Sequence, residues 1–174
     1  LDLGQSTGGF TDVLLSRGAK HVVGVDVGHG QLHPRLAADP RVTALEGVNA
    51  RHLEAGQLPF ARFDLVVGDL SFIPLGLVLP ALVRCSAPEA DLVLMVKPQF
   101  EVGKERLGKG GVVRDPTHRA EAVLRVAEEA AGRGWGAVGV ATSPLPGPSG
   151  NVEFFLWLRF GPATVGESDI STEV

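Results

Sequence analysis

Three side chains stand at the ends of short apolar segments, and all three are of types that move protons. Asp69 lies in Gly68-Asp-Leu-Ser-Phe-Ile73, Lys97 in Met95-Val-Lys-Pro-Gln-Phe-Glu101, and Glu153 in Gly150-Asn-Val-Glu-Phe-Phe-Leu-Trp157. A lysine drawn out of water by apolar neighbours yields its proton more readily, which makes it a usable base. A carboxylate inside an apolar segment requires a partner. Lys97 is the natural one for Glu153 if the last strand lies beside the strand that Lys97 follows. Plainer readings exist: Asp69 as the N-cap of a helix beginning near Phe72, and Lys97 as a snorkelling lysine.

A second constellation opens the chain. Asp2-Leu-Gly-Gln-Ser-Thr-Gly-Gly-Phe-Thr11 follows the end of a strand and opens a helix. Glycines there let the backbone approach a ligand, and a helix N-terminus offers free N–H groups. Seventeen residues beyond Gly9, Asp26 ends the next strand, a place where an acid accepts the hydroxyls of an adenosine ribose. The turn departs from Gly-x-Gly-x-x-Gly because position 6 is serine. Asp2 suits a cationic amino-acid group better than a pyrophosphate. Both features favour S-adenosylmethionine over a dinucleotide.

The elements that position these residues alternate. His21–Asp26, Arg41–Glu46, Phe63–Gly68 and Ala90–Val96 are short and rich in valine and leucine, as strands covered on both faces are. Gly9–Arg17, Gln31–Ala38 and Phe72–Arg84 read as crossover helices, with prolines 34, 74 and 80 blurring the last two. Thr117–Gly132 is the clearest helix, capped by Asp115 or Thr117. Trp135–Ala141 and Asn151–Phe160 read as a closing antiparallel pair. The fold expected is α/β: a doubly wound, mostly parallel sheet with a C-terminal antiparallel hairpin. Residues 1–160 form one domain, and the polar tail 161–174 is expected to be disordered. Because Leu1-Asp-Leu-Gly4 reads as the last residues of a buried strand, the natural protein is expected to continue upstream.

Composition narrows the class. The 174 residues contain a single cysteine, Cys85, so no internal disulfide forms, and no Cys/His cluster points to a metal. The cysteine usage fits the cytoplasm. The apolar uncharged run Leu70 to Val83 has 14 residues and two prolines, too short for a bilayer span. The net charge of −4 is the wrong sign for a global nucleic-acid field. From Lys97 to Arg119, however, six basic residues face three acidic ones. Within that loop Lys104, Arg106, Lys109 and Arg114 are candidate phosphate contacts, and Gly108, Gly110 and Gly111 would let it move and order on binding.

The phrases STGGFTD, VDVGHGQL, DLSFI, VKPQFE, GKGGVVRDPTH and GPSGNVEFFLWL resemble the TlyA (haemolysin A-like) family of ribosomal RNA 2′-O-methyltransferases, which share the FtsJ-type catalytic domain. The resemblance spans about Leu1 to Leu158. It implies a seven-stranded class I methyltransferase fold and methyl transfer from S-adenosylmethionine to cytidine ribose hydroxyls of ribosomal RNA. It assigns Asp69, Lys97 and Glu153 to the last three members of a Lys-Asp-Lys-Glu tetrad. It assigns cofactor contacts to Asp2, Gly4, Gln5, Ser6, Thr7, Gly8, Gly9, Phe10, Asp26, Val27, Asn49 and Asp69. The first tetrad lysine and an N-terminal S4-like RNA-binding domain would lie upstream, so this chain alone is expected to be weak or inactive as an enzyme. Gln5 departs from the small residue usual in the family and is placed at the methionine end of the cofactor.

Rival functions remain at this level. A base N-methyltransferase would use Asp69-Leu-Ser-Phe72 in place of an Asp/Asn-Pro-Pro-aromatic motif, but it has no need of Lys97 and Glu153. A membrane-active haemolysin would need a spanning segment or a strongly basic amphipathic helix, and the sequence shows neither. An inactive RNA-binding scaffold is the third alternative.

Overall fold

The computed structural model describes residues 1–174, Pro148 by its backbone alone. Seven strands, β1 (Asp2–Leu3), β2 (Val22–Asp26), β3 (Val42–Glu46), β4 (Phe63–Gly68), β5 (Ser86–Val96), β6 (Trp135–Thr142) and β7 (Phe154–Phe160), form one sheet in the order β3-β2-β1-β4-β5-β7-β6. The first five run parallel, while β7 is antiparallel to both β5 and β6. The chain winds from β1 outward to β3, then returns to β4 on the other side of β1. A crevice therefore opens beyond the carboxyl ends of β1 and β4, where ligands of open α/β sheets bind. Asp26, Asp69 and the turn after Leu3 all lie at that edge.

The helices are α1 (Gly9–Ser16), α2 (Pro34–Ala37), α3 (Leu79–Cys85), α4 (Pro98–Glu101), α5 (Pro116–Ala131) and α6 (Glu167–Glu173). Asp115 caps α5, its side chain accepting Thr117 N–H at 2.9 Å, with Pro116 in the first turn. Val123, Val126 and Ala130 of α5 are buried with Leu92, Leu94 and Val96 of β5 and Leu156 and Leu158 of β7 in one core cluster. Each fully buried leucine contributes about 1.5–3 kcal/mol relative to exposure.

Four expectations change. Gln31–Ala38 is helical only over Pro34–Ala37, because His33 caps it by accepting Arg35 N–H at Nδ1. Phe72–Arg84 splits into a 3₁₀ turn at Leu75–Leu77 and α3, since Phe72 adopts φ 65° and Pro74 is extended. The burial of β2 on both faces fits the expectation. In β5, by contrast, buried Leu92, Leu94 and Val96 alternate with half-buried Asp91, Val93 and Met95. The reason is that α1 and α2 pack on β2 and β3, whereas α5 packs on β5, β6 and β7.

The tail is the fourth. Its single isoleucine, Ile170, is 1% exposed, and α6 packs on α5 and β6. Glu173 Oε1 accepts Thr142 N–H at 2.7 Å, so the helix also occupies donors on the edge strand β6. Ile170, with Val165 and Val174 packed against the same core, orders a segment that lacks any apolar period.

Candidate active site

Lys97 follows the last residue of β5 and projects along the crevice edge. Its Nζ lies 2.6 Å from Asp69 Oδ1 and donates to Ser71 Oγ at 3.1 Å. The lysine side chain is 9% exposed and the Asp69 side chain 38%. Parallel pairing of β4 with β5 sets this contact, because it aligns Gly68 with Leu94 and brings both strand ends to one rim. A lysine this buried requires its carboxylate partner; removing that partner would strand a charge.

Glu153 is 4% exposed and lies one residue before β7 rather than inside it. The register Val96↔Phe154 continues to place it across from Lys97, so the expected strand adjacency is present. The expected ion pair is not: among the described residues Glu153 Oε1 instead accepts from Gln99 Nε2 at 2.9 Å. Lys97 leans towards β4 and Glu153 towards α4, each taking the nearer polar partner.

A cavity of about 660 Å³ occupies the crevice, within the usual range for small-molecule sites. Gly4, Ser6, Asp26, Val27, Asn49 and Asp69 line it, six of the residues expected to hold a cofactor. Asp26 is fixed at its floor: Oδ2 accepts Ser6 N–H and Oδ1 accepts Gly28 N–H, both at 2.8 Å. Its remaining lone pairs stay available to hydroxyl donors. Gly4, at φ 76°, has no room for a side chain, because a Cβ there would collide with the Asp69 carbonyl. Sequence reasoning missed Val48, Arg51, His52, Ile73 and Leu77 on the walls. Val48 and His52 flank Asn49 closely enough to have been found by proximity, whereas nothing in the spacing marks Leu77.

The other expected contacts lie outside this lining. Gly8 packs against Leu32 and Leu36, Phe10 against Phe155, and Thr7 accepts His33 N–H at its carbonyl, while Gly9 is exposed. Gln5 is 5% exposed and turns inward over Gly24, its Nε2 donating to Thr11 Oγ1 at 2.9 Å. Thr11 in turn donates to Asp2 Oδ2 at 2.6 Å. Asp2 is 1% exposed, its Oδ1 has no hydrogen-bond partner, and burial raises its carboxyl above the usual range. An orphaned carboxylate oxygen beside a glycine turn suits a cationic donor from a ligand.

The basic loop is anchored rather than free. Val113 is 1% exposed, its N–H donates to Asn151 Oδ1 at 3.0 Å, and Asn151 Nδ2 donates to the Gly111 carbonyl at 3.1 Å. Arg106 forms an ion pair with Glu121 of α5. Lys104, Lys109 and Arg114 are exposed. Among the described residues no helix is long and apolar enough to cross a membrane, and no group of three or more His, Cys, Asp or Glu could hold a metal ion.

Known proteins resemble this chain in sequence and in fold. The chain is 63% identical over 159 residues to the 16S/23S rRNA (cytidine-2′-O)-methyltransferase TlyA of Mycobacterium tuberculosis, covering 91% of this chain and 59% of that protein. It superposes with a TM-score of 0.94 on a Streptococcus thermophilus chain described as a hemolysin, 38% identical, covering 99% of this chain and 63% of the other. A Burkholderia thailandensis N1-methyltransferase, 18% identical, shares the fold with a TM-score of 0.64 over 92% of this chain and 69% of its own. The chain spans about three-fifths of the length of the curated relatives it matches. The model of FtsJ-like methyltransferases matches residues 1–160, a span that takes in the crevice, Asp69, Lys97 and Glu153; the chain belongs to that family.

Proposed function

We propose that this chain is the catalytic domain of an S-adenosylmethionine-dependent 2′-O-methyltransferase that acts on cytidine riboses of ribosomal RNA in the cytoplasm. The observation that carries the reading is the contact of Lys97 Nζ with Asp69 Oδ1 at 2.6 Å, on the rim of the cavity whose floor holds Asp26. The name of the mycobacterial relative gives the same reaction and substrate for that protein.

The residues fit the cofactor. Asp26, oriented by Ser6 and Gly28 N–H, would accept the ribose hydroxyls. Val27, Asn49 and Val48 would flank the adenine side. Asp2 Oδ1, buried and unpartnered, would accept from the methionine ammonium. Gln5 acts on that end indirectly, by fixing the Thr11 hydroxyl so that its proton points at Asp2.

The bound cofactor supplies an electrophilic methyl on a sulfonium. A ribose hydroxyl is a poor nucleophile, so the chain must align it and stabilise charge on its oxygen. Lys97 pairs by charge with the Asp69 carboxylate and donates one N–H to Ser71, leaving N–H to hold the 2′-oxygen. The hydroxyl proton would then pass to solvent through the pair, Lys97 handing a proton to the Asp69 carboxylate as it takes the one released by the 2′-oxygen. Glu153 acts one step back, through Gln99 and α4. A base amine attacks through its own lone pair and needs no such lysine.

Alkaline cleavage of methylated RNA tests the assignment, because a 2′-O-methyl group blocks cleavage at its own nucleotide. The expected result is a protected cytidine with a protein that also supplies the first tetrad lysine, and weak or no protection with this chain alone. Lys97→Ala should lower turnover at least a hundredfold and leave S-adenosylhomocysteine affinity unchanged. Methylation without alkaline protection would identify a base methyltransferase instead.

A further inference from the structure

The turn Leu75–Leu77 contributes Leu77 to the cavity wall beside Ile73 and Pro74, and a carboxylate holds it from behind at Leu75. Glu101, the last residue of α4, is 8% exposed, and its Oε1 accepts Leu75 N–H at 2.8 Å. Glu129 of α5 lies against Gly76, where a Cβ would collide with its carboxylate. Arg125, one turn earlier on α5, donates to the backbone carbonyl of Glu101 at 2.9 Å. The Leu75 N–H opens a helical turn and has no partner within it, so an outside acceptor is required. Glu101 stands four residues beyond Lys97, on the short helix that Lys97 caps.

We propose that Glu101 is a positioning residue that fastens, at Leu75, the turn carrying the wall residue Leu77 to the helix that Lys97 caps. Cofactor affinity and the placement of Lys97 then depend on one hydrogen bond. The cofactor half of this proposal rests on the function proposed above.

The groups facing Glu101 are Arg125 and Glu129 from α5 and the backbone of the Leu75 turn. Burial first, then the charge of Glu129, push the Glu101 carboxyl up to about 7. The charged form is the stronger acceptor for Leu75 N–H, so the fastening weakens as pH falls through about 7. Overall stability moves the other way. A folded-state pKa above the ordinary 4.5 means the native state binds the proton more tightly than the unfolded chain. The contribution of this group to stability therefore falls as pH rises from about 4.5 to about 7.

The experiment is calorimetric titration of S-adenosylhomocysteine at pH 6 and pH 8, with hydrogen exchange at the Leu75 amide. The chain is compared with Glu101→Gln and Glu101→Ala. The wild type should bind severalfold more tightly at pH 8. Glu101→Gln, which keeps an acceptor and cannot ionise, should retain binding with that pH dependence gone. Glu101→Ala should exchange Leu75 about tenfold faster and bind about tenfold more weakly at pH 8. Unchanged Leu75 exchange in Glu101→Ala, or a pH dependence that survives in Glu101→Gln, overturns the proposal. If Glu101→Ala does not fold, Glu101→Gln decides alone. Faster Leu75 exchange in a chain that binds no S-adenosylhomocysteine at either pH would support the fastening and overturn the cofactor reading.

Discussion

Gln99 Nε2 donates to Glu153 Oε1 across 2.9 Å, joining residues 54 positions apart. The bond ties α4 to the residue that leads into β7, directly behind the rim where Lys97 meets Asp69. Two polar sets thus share one short helix: Asp69–Lys97–Ser71 in front and Gln99–Glu153 behind. Glu153 is buried, Gln99 is half-buried, and Gln99 Oε1 has no partner. Glu153 is therefore linked to the helix that Lys97 caps through Gln99, rather than paired with the ammonium itself.

Removing half of that bond leaves the Glu153 carboxylate short of a donor in a buried place. Gln99→Leu should lower stability by about 1–3 kcal/mol, whereas replacing both partners with leucine should cost less than the sum of the singles. Urea unfolding of the two single variants and the double variant measures the coupling. A coupling of zero would show that the carboxylate is satisfied without Gln99.

The parallel sheet and the crevice edge were legible in the sequence because each follows from strand ends and their order. The valine- and leucine-rich runs fix the strands, and an acid or lysine just past a run falls at the same rim. Side-chain direction was not legible. Gln5 turns away from the cavity because Gly24, nineteen residues later, leaves a space over β2. Glu153 turns to Gln99 because α4, only four residues long, brings an amide closer than the ammonium. Such choices depend on tertiary neighbours that no local spacing announces. The helix at Glu167–Glu173 was missed for a related reason, since its order rests on Ile170 and an edge strand rather than on periodicity.

Asp26 has a double duty that sharpens its mutational signature. Its carboxylate holds Ser6 and Gly28 N–H, so truncation removes a ligand acceptor and loosens two loops together. Asp26→Ala should weaken S-adenosylhomocysteine binding at least tenfold, and Asp26→Asn, which keeps an acceptor in place, should lose less. Calorimetric titration of both variants checks the order. Equal affinity for Asp26→Ala and the wild type would move the cofactor out of this crevice.

The basic loop gives a prediction that separates its members. Each exposed cation that contacts a phosphate contributes about 0.7–0.9 to the slope of log K against log salt. Lys104, Lys109 and Arg114 are exposed, while Arg106 is committed to Glu121. Substituting Lys109 and Arg114 with alanine should reduce the slope for ribosomal RNA by about 1.4–1.8 in all. Arg106→Ala should leave the slope unchanged and lower stability by about 1 kcal/mol at most, the usual worth of a partly exposed ion pair. Filter binding between 50 and 200 mM salt, roughly the range over which phosphate contacts are expressed, measures both. A slope that drops with Arg106→Ala would mean that RNA pulls Arg106 away from Glu121. A slope indifferent to Lys109 and Arg114 would leave the loop as a structural brace, held by Val113 and Asn151 against the end of the sheet.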